Sequence, residues 1–275
     1  MPDRILTRAD LNERNEYAAS DSLHVKGSLT IPAELGMVYF RGGVFVEGDI
    51  TAGWDITAGD SITADGRIVT TGRITAGQNI IAGESIESGG DITAARGITA
   101  GKGIRTGWNI TAGDGITARD SITAGWGIKA REGITAGGRI EAGGGIAAGK
   151  GIEAGRDITA GGRITAGRGI RTGWNITAGD GITARKGITA GDSIKAGGGI
   201  TAGWGIKAGE SIIAGRSITA GWNITAGDDM SVKFRIFAGV SPNSFPEDWD
   251  ADKVIRCRRL VSGTVAYGTL IEEGR

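Results

Sequence analysis

Few residues in this chain have the chemistry that catalysis or metal binding requires. The sequence contains one histidine, His24, and one cysteine, Cys257. His24 could serve as a general base, but a lone histidine near one end of a chain is most often structural or solvated. Cys257 has no histidine partner and lies in a strand-like run, which favours a packing role. Carboxylates are scattered, and no ligand spacing is typical of a zinc site. The sequence predicts a non-enzymatic protein without catalytic, metal-binding or cofactor-binding residues, and no cofactor.

A six-residue repeat must position every other candidate residue. Isoleucine occupies every sixth position from Ile50 to Ile224, thirty positions in all, with the consensus I-T-A-G-x-x. Alternate residues of a strand share a face, so the isoleucine and the small third residue are predicted to point inward. The second residue, often Thr, then points outward. The fourth residue is usually glycine, and we expect it to adopt the positive φ of a sharp corner.

The repeat predicts the fold class. Six residues do not match the 3.6-residue turn of a helix, and an antiparallel meander needs longer strands. Three hexads make a coil of 18 residues. The second position supports three sides, because one side carries Thr in eight of ten coils and the others in four and six. We expect an all-β fold, a single-stranded parallel β-solenoid with triangular coils. The repeat leaves the hand of the coil open.

The repeat also divides the chain into three parts. Residues 38–230 are predicted to form the regular solenoid, preceded by an N-terminal cap with irregular first coils over residues 1–37. Within that cap, Thr7 is expected to begin a short helix that reaches Ala19. Residues 23–25 and 29–31 are expected to form early coil sides.

Residues 231–275 are predicted to form a C-terminal cap with two features. Residues 241–252 form an acidic, proline-containing segment, which we interpret as a loop. The strand-like runs 254–261 and 264–271 flank Ser262 and Gly263. This pattern predicts a β-hairpin.

Charge and composition restrict the environment and the partners. Lys+Arg 31 and Asp+Glu 31 cancel, which argues against a generally basic nucleic-acid binder. No apolar run approaches the roughly 18 to 20 residues of a membrane span, and the first residues lack the apolar core of a signal peptide. A single cysteine excludes an internal disulfide framework. We therefore expect a cytoplasmic protein with no membrane insertion.

The corners of the coil provide the candidate interaction surface. Residues 18 apart are expected to stack on adjacent coils, which pairs Trp108 with Trp126 and Trp204 with Trp222. The column below Trp204 is basic: Lys150, Arg168 and Lys186. Aromatic rings beside basic groups suit an anionic polymer, a glycan or a nucleic acid, although zero net charge provides no long-range attraction. The alternative is that the tryptophans shield glycine corners and the basic column is merely solvated.

One side of the coil carries a column of threonines that suggests a second surface. Its members are Thr57, Thr75, Thr93, Thr111, Thr165, Thr183, Thr201 and Thr219. Lys129 and Ala147 interrupt the column. Regular threonine rows resemble those of β-solenoid antifreeze proteins, which implies ice binding. An exposed parallel strand would favour threonine for its propensity alone.

Two protein families resemble this repeat. Hexads with isoleucine at one position are similar to the hexapeptide acyltransferases, which fold as left-handed β-helices and use a histidine base. The string from Glu47 to Gly53, E-G-D-I-T-A-G, and its successors resemble the pattern of bactofilins. Bactofilins are polymer-forming bacterial proteins with a right-handed β-helix core, so this resemblance implies end-to-end self-assembly.

These observations favour a structural or interaction protein, a rigid β-solenoid that self-associates or displays side chains. The expected partner is a second copy of the chain or another protein. The alternatives are a module that binds a polymer, glycan or nucleic acid through the tryptophan and basic corners, and an ice-binding protein that uses the threonine side.

Overall fold

The computed structural model describes residues 3–240 and 253–274. Contacts divide the chain into two compact units, Met1–Gly137 and Gly138–Arg275. The acidic segment 241–252, interpreted above as a loop, lies outside the described residues. Apart from two single-turn 3₁₀ helices, Arg8–Asp10 and Ala33–Leu35, the regular structure consists of short strands.

The strands of the first unit are nearly all three residues long. They are β1 Arg4–Ile5, β2 Leu23–Val25, β3 Leu29–Ile31, β4 Val38–Phe40, β5 Val44–Val46, β6 Ile50–Ala52, β7 Ile56–Ala58, β8 Ile62–Ala64, β9 Ile68–Thr70, β10 Ile74–Ala76, β11 Ile80–Ala82, β12 Ile86–Ser88, β13 Ile92–Ala94, β14 Ile98–Ala100, β15 Ile104–Thr106, β16 Ile110–Ala112, β17 Ile116–Ala118, β18 Ile122–Ala124, β19 Ile128–Ala130 and β20 Ile134–Ala136.

The second unit continues the same pattern and ends in longer strands. They are β21 Ile140–Ala142, β22 Ile146–Ala148, β23 Ile152–Ala154, β24 Ile158–Ala160, β25 Ile164–Ala166, β26 Ile170–Thr172, β27 Ile176–Ala178, β28 Ile182–Ala184, β29 Ile188–Ala190, β30 Ile194–Ala196, β31 Ile200–Ala202, β32 Ile206–Ala208, β33 Ile212–Ala214, β34 Ile218–Ala220, β35 Ile224–Ala226, β36 Asp229–Phe237, β37 Val254–Cys257, β38 Arg259–Tyr267 and β39 Thr269–Glu272.

The strand register confirms the three-sided coil in each unit. Ile74 lies opposite Ile56 in the preceding coil and Ile92 in the following coil, and both pairings are parallel. Within each unit, the regular three-residue strands of the repeat therefore pair with the strand three places away in sequence, as a parallel β-solenoid with 18-residue coils requires. We number the sides by sequence phase: side 1 contains Ile50, side 2 contains Ile56 and side 3 contains Ile62.

Burial follows the predicted alternation. The repeat isoleucines are at most 1% exposed, and the alanines two residues later are nearly as buried. The residue between them points outward and is half-buried or exposed. Fully burying one isoleucine stabilises the fold by about 2–3 kcal/mol. Because a single coil cannot offset its own conformational entropy, stability is shared among neighbouring coils.

The structural reason for glycine at the fourth position differs from the predicted one. The described glycines with positive φ are Gly36, Gly239, Gly263, Gly268 and Gly274, and none belongs to the regular repeat. Instead, a Cβ atom on Gly77 would lie 2.0 Å from the carbonyl oxygen of Gly59 in the preceding coil. The positive-φ prediction is therefore wrong for the repeat: glycine is favoured because successive coils approach each other closely at the corner.

Side chains at the sixth position accept a backbone N–H that has no carbonyl partner at the corner. Fourth- and fifth-position N–H groups donate to carbonyls of the preceding coil, as in Gly77 to Ala58 at 2.9 Å and Gln78 to Asp60 at 3.2 Å. At most corners where the sixth-position side chain can accept, it accepts the sixth-position N–H of the following coil. Asn109 N–H donates to Asp91 Oδ1 at 3.0 Å in this way. Asp, Asn and Ser at this position are therefore acceptors and not only turn formers.

Residues 3–17 cover two sides of the first coil, which β2, β3 and β4 form. β1 pairs with β3, and Tyr17 N–H donates to Tyr39 O at 2.9 Å, so backbone groups of the N-terminal segment pair with two sides of the coil. Leu6, Leu11 and Leu35 are at most 8% exposed. The expected early coil sides at residues 23–25 and 29–31 are confirmed as β2 and β3.

The helix predicted from Thr7 to Ala19 is wrong. Asp10 accepts hydrogen bonds from the N–H and the hydroxyl of Thr7, but the helical turn stops at Asp10. Asn12 then accepts the N–H groups of Arg14 and Glu16 through its side chain, which removes donors that a helix would use. The chain turns back, and Leu11 bridges Tyr17 in antiparallel fashion.

The predicted C-terminal β-hairpin is also wrong. β38 runs without a break through Ser262 and Gly263 and pairs in parallel with β36. β37 pairs in parallel with β35 and with β39. Gly263, at φ 110°, allows the strand to bend where a hairpin turn was expected. The C-terminal residues therefore continue the solenoid.

Candidate functional site

Both predicted tryptophan pairs form. Trp108 and Trp126 lie on the edge between sides 1 and 2 of the first unit, with ring centroids 6.3 Å apart and planes 10° from parallel. Trp204 and Trp222 lie on the edge between sides 2 and 3 of the second unit, 4.9 Å apart and 6° from parallel. The backbone carries each pair, since Trp126 N–H donates to Trp108 O and Trp222 N–H to Trp204 O.

The predicted basic column leads directly to the Trp204 pair. Arg168 N–H donates to Lys150 O at 3.0 Å, and Lys186 N–H to Arg168 O at 3.2 Å. Trp204 continues this ladder, and the Lys186 ammonium lies 4.6 Å from its ring centroid. We call this column, from Lys150 to Trp222, the basic edge. The Trp204 ring therefore contacts both the Trp222 ring and the Lys186 ammonium.

The structure adds two exposed tryptophans that the predicted surface omitted. Trp54 is 55% exposed and Trp174 is 48% exposed. The guanidinium of Arg156 lies 5.3 Å from the Trp174 ring centroid. Arg156 and Trp174 are 18 residues apart, so the column search that found the basic edge could also have found this pair.

The threonine column is continuous within each unit except at the predicted interruptions. Thr75 lies opposite Thr57 and Thr93, and Thr183 lies opposite Thr165 and Thr201. Lys129 follows Thr111 in register, and Ala147 precedes Thr165. These threonines are half-buried or exposed, as an outward column should be. The ice-binding interpretation stays a prediction, with one column of hydroxyls on that side.

The two residues with catalytic potential have local packing partners. His24 stacks on Phe45, with ring centroids 4.8 Å apart. Cys257 is fully buried, and burial raises the pKa of its thiol, with Glu272 and Asp229 adding to the effect. A raised pKa keeps the sulfur protonated and weakly nucleophilic. Within residues 3–240 and 253–274, no three potential ligands cluster in a way that could hold a metal ion.

A shallow depression in the first unit gathers charges of both signs. Its lining includes Glu87, Lys102, Arg105 and Asp120. Lys102 pairs with Glu84 at 3.1 Å, and Glu87 lies opposite Arg105 in strand register. Opposite charges that compensate one another in this way give little preference for a charged ligand. In the described part of the chain, no helix is long and apolar enough to span a bilayer.

The architecture of each unit defines a parallel β-solenoid protein. Comparison with protein-family models, curated proteins and solved structures gives no match. Function is therefore inferred from the geometry of the coils and their surface.

Proposed function

We propose that this protein is a non-enzymatic structural protein that self-associates through the C-terminal end of its solenoid. The observation that carries the proposal is the exposure of inward-facing residues in the last described coil. Leu260, Val265 and Leu270 are half-exposed, although they continue the core columns. Their partners one coil earlier, Met230, Ile236 and Ile255, are 0% exposed.

The same coil presents unpaired strand edges. Among the described residues, β38 pairs only with β36, and β39 pairs only with β37. Val261 is 52% exposed, and Tyr267 is 50% exposed. An edge strand with exposed apolar side chains is a template for pairing with another chain. A second copy would bury these side chains and complete the hydrogen bonds of β38.

The two ends of the described chain differ, and this difference favours a closed dimer. Two sides of the first coil, β3 and β4, are covered by residues 3–17, whereas the edges of β38 and β39 are uncovered among the described residues. Like ends then meet across a two-fold axis, with β38 antiparallel to its own copy. The bactofilin resemblance implied end-to-end polymers, but pairing through one kind of end stops at two copies.

Analytical ultracentrifugation over a range of concentrations tests the proposal. The wild-type protein is expected to be a dimer that dissociates on dilution. Val261→Lys places a charge on the exposed edge strand and should weaken the dimer at least about tenfold. Ile213→Lys is the matched control, because Ile213 is 40% exposed but lies on side 1 within the regular coils. It should leave the dimer intact.

Two results would overturn the proposal. One is a wild-type monomer at every concentration. The other is a dimer that both lysine variants weaken equally, because the contact would then not involve β38. Hydrogen exchange adds an independent readout: β38 amides protected in a monomer would mean that the same chain covers this edge.

A further inference from the structure

The corner N–H of the sixth position binds carboxylate oxygen wherever the chain provides it. Arg67 N–H donates to Asp49 Oδ1 at 2.7 Å, while the Arg67 guanidinium donates to Asp49 Oδ2 at 3.0 Å. Arg73 and Asp55 repeat this arrangement with distances of 2.7 and 2.9 Å. The Arg67 N–H is the main cause of a lowered pKa at Asp49, so this corner stabilises negative charge.

From Gly151 to Gly205, no sixth position of the basic edge has a side-chain acceptor. Its sixth positions in the second unit include Gly151, Gly169, Gly187 and Gly205, and glycine has no side chain to accept the next N–H. In the part of the chain that the structure describes, the N–H groups of Gly169, Gly187 and Gly205 have no hydrogen-bond partner. All three glycines are partly exposed. They recur once per coil, at a spacing of about 4.8 Å.

Cationic side chains stand beside these free N–H groups. Arg168 immediately precedes Gly169, and Lys186 immediately precedes Gly187. Arg185 and Arg168 are exposed, so their charges face solvent on this edge. The coils of Gly169 and Gly187 therefore offer a backbone donor next to a cation, which are the two groups that hold Asp49 and Asp55 elsewhere in the molecule.

We propose that the basic edge binds the carboxylates of an extended acidic peptide. Each bound carboxylate accepts a hydrogen bond from a corner N–H and pairs with the adjacent Arg168 or Lys186, as Asp49 does with Arg67. Carboxylate is the favoured chemistry because the chain itself uses Asp at this position. Glutamate side chains are long enough to adjust to the coil spacing, and Trp204 and Trp222 flank the site with apolar surface.

A decaglutamate peptide titrated into the full-length protein tests this proposal, with calorimetry and tryptophan fluorescence as readouts. Binding is expected at low ionic strength and should weaken as salt increases, because exposed charges are screened. Lys186→Glu should weaken binding about tenfold or more. Arg216→Glu changes the charge equally on another edge of the same unit, and we expect it to preserve binding apart from a small general effect of charge.

Gly187→Asp provides the sharpest test. Its carboxylate should accept the Gly205 N–H, fill one binding position and repel the peptide, so affinity should fall about fivefold or more. Gly187→Ala adds only a Cβ, which would lie 3.3 Å from Gly205 O, and should retain binding. Dimer formation through β38 is measured separately and should be the same in all four variants.

Three results would overturn the proposal: no binding of decaglutamate at low salt, equal losses in Lys186→Glu and Arg216→Glu, or equal effects of Gly187→Asp and Gly187→Ala. Tighter binding of a ten-nucleotide thymidine strand than of decaglutamate would also overturn it, because the edge would then prefer phosphates and stacked bases.

Discussion

Two stretches of this chain have identical sequences but different neighbours. Residues 103–119 and 169–185 both read G-I-R-T-G-W-N-I-T-A-G-D-G-I-T-A-R. Each forms three strands of three residues, with the same inward and outward positions. Their offset of 66 residues (170 − 104) is three coils plus two sides, so the copies occupy different phases of the coil. The hexad alone therefore determines the strand, whatever its side.

The two copies differ in hydrogen bonding because the preceding coils differ. Thr106 follows Ser88 in register, and its buried hydroxyl donates to Gly90 O and accepts the Trp108 N–H. Thr172 follows Ala154, and its buried hydroxyl has no partner among the described residues. An identical residue is thus satisfied in one copy and unsatisfied in the other. The observed difference lies at the carbonyl 16 positions earlier: Gly90 O accepts the Thr106 hydroxyl, whereas Arg156 O accepts the Trp174 N–H.

The largest expected effect should be the same in both copies. Ile104 and Ile170 are each 1% exposed, so Ile104→Asp and Ile170→Asp both bury an unpaired carboxyl group. Each should destabilise its unit by about 4 kcal/mol or more and loosen the coils on either side. Urea unfolding gives the magnitude, and hydrogen exchange gives its extent. A clear difference between the two variants would contradict the equivalence of the sides.

Replacing the two threonines should shift stability in opposite directions. Thr106→Val removes the hydroxyl that donates to Gly90 O and accepts the Trp108 N–H, and should cost about 1–3 kcal/mol. Thr172→Val removes an unsatisfied hydroxyl at nearly constant shape and should stabilise by about 1 kcal/mol. Thermal and urea unfolding of the two variants measure both changes. Equal signs would show that the preceding coil does not control these hydroxyls.

The matched tryptophans, Trp108 and Trp174, have different partners, and their coupling free energies should reflect this. Trp108 is coupled to Trp126 by ring stacking, with an expected coupling free energy of about 0.5–1.5 kcal/mol. Trp174 is coupled to the Arg156 cation, with an expected value of about 0.5–1 kcal/mol at an exposed site. Double-mutant cycles with alanine at each pair measure both values. A coupling free energy of zero at either pair would show that this contact does not contribute to stability.

The smallest expected effect concerns the sixth-position acceptors beneath the two copies. Asp91 Oδ1 accepts the Asn109 N–H at 3.0 Å, and Asp157 Oδ1 accepts the Asn175 N–H at 3.3 Å. Asp91→Ala and Asp157→Ala should each cost about 0.5–1.5 kcal/mol. Unfolding free energies of the pair should agree within error, and a cost confined to one of them would contradict a common corner rule.

Much of the fold could be predicted because it depends on periodicity. The isoleucines and alanines alternate inward as expected, and the 18-residue register aligns Trp108 with Trp126 and Trp204 with Trp222. The positions of the basic column follow from the same count. The proposed binding of carboxylates does not follow from this count, because the count locates side chains without showing which backbone N–H groups lack a partner.

The wrong predictions all start from local sequence signals. Glycine at the corner, Thr7 before a polar segment, and Ser262 with Gly263 between apolar runs are all local signals. At Gly77 and Gly263 a contact between coils decided the outcome, whereas the helix from Thr7 is replaced by a turn in which the Asn12 side chain accepts nearby N–H groups. Gly77 is required by the carbonyl of Gly59, and Gly263 lies within a strand that pairs with β36. Local propensity shows which conformations a glycine can adopt. The conformation that Gly77 or Gly263 does adopt depends on a strand or corner 18 or more positions away in sequence.

Because the three sides are equivalent, the chain can change its length in steps of six residues. A gain or loss of six residues leaves every remaining hexad intact and moves all following residues on by one side. Deleting residues 188–193, for example, would place Glu210 rather than Trp204 18 positions after Lys186. The interior would be conserved while every downstream edge acquired new neighbours. The gain or loss of a single hexad can thus change the neighbours of every downstream surface residue while the core keeps the same residues.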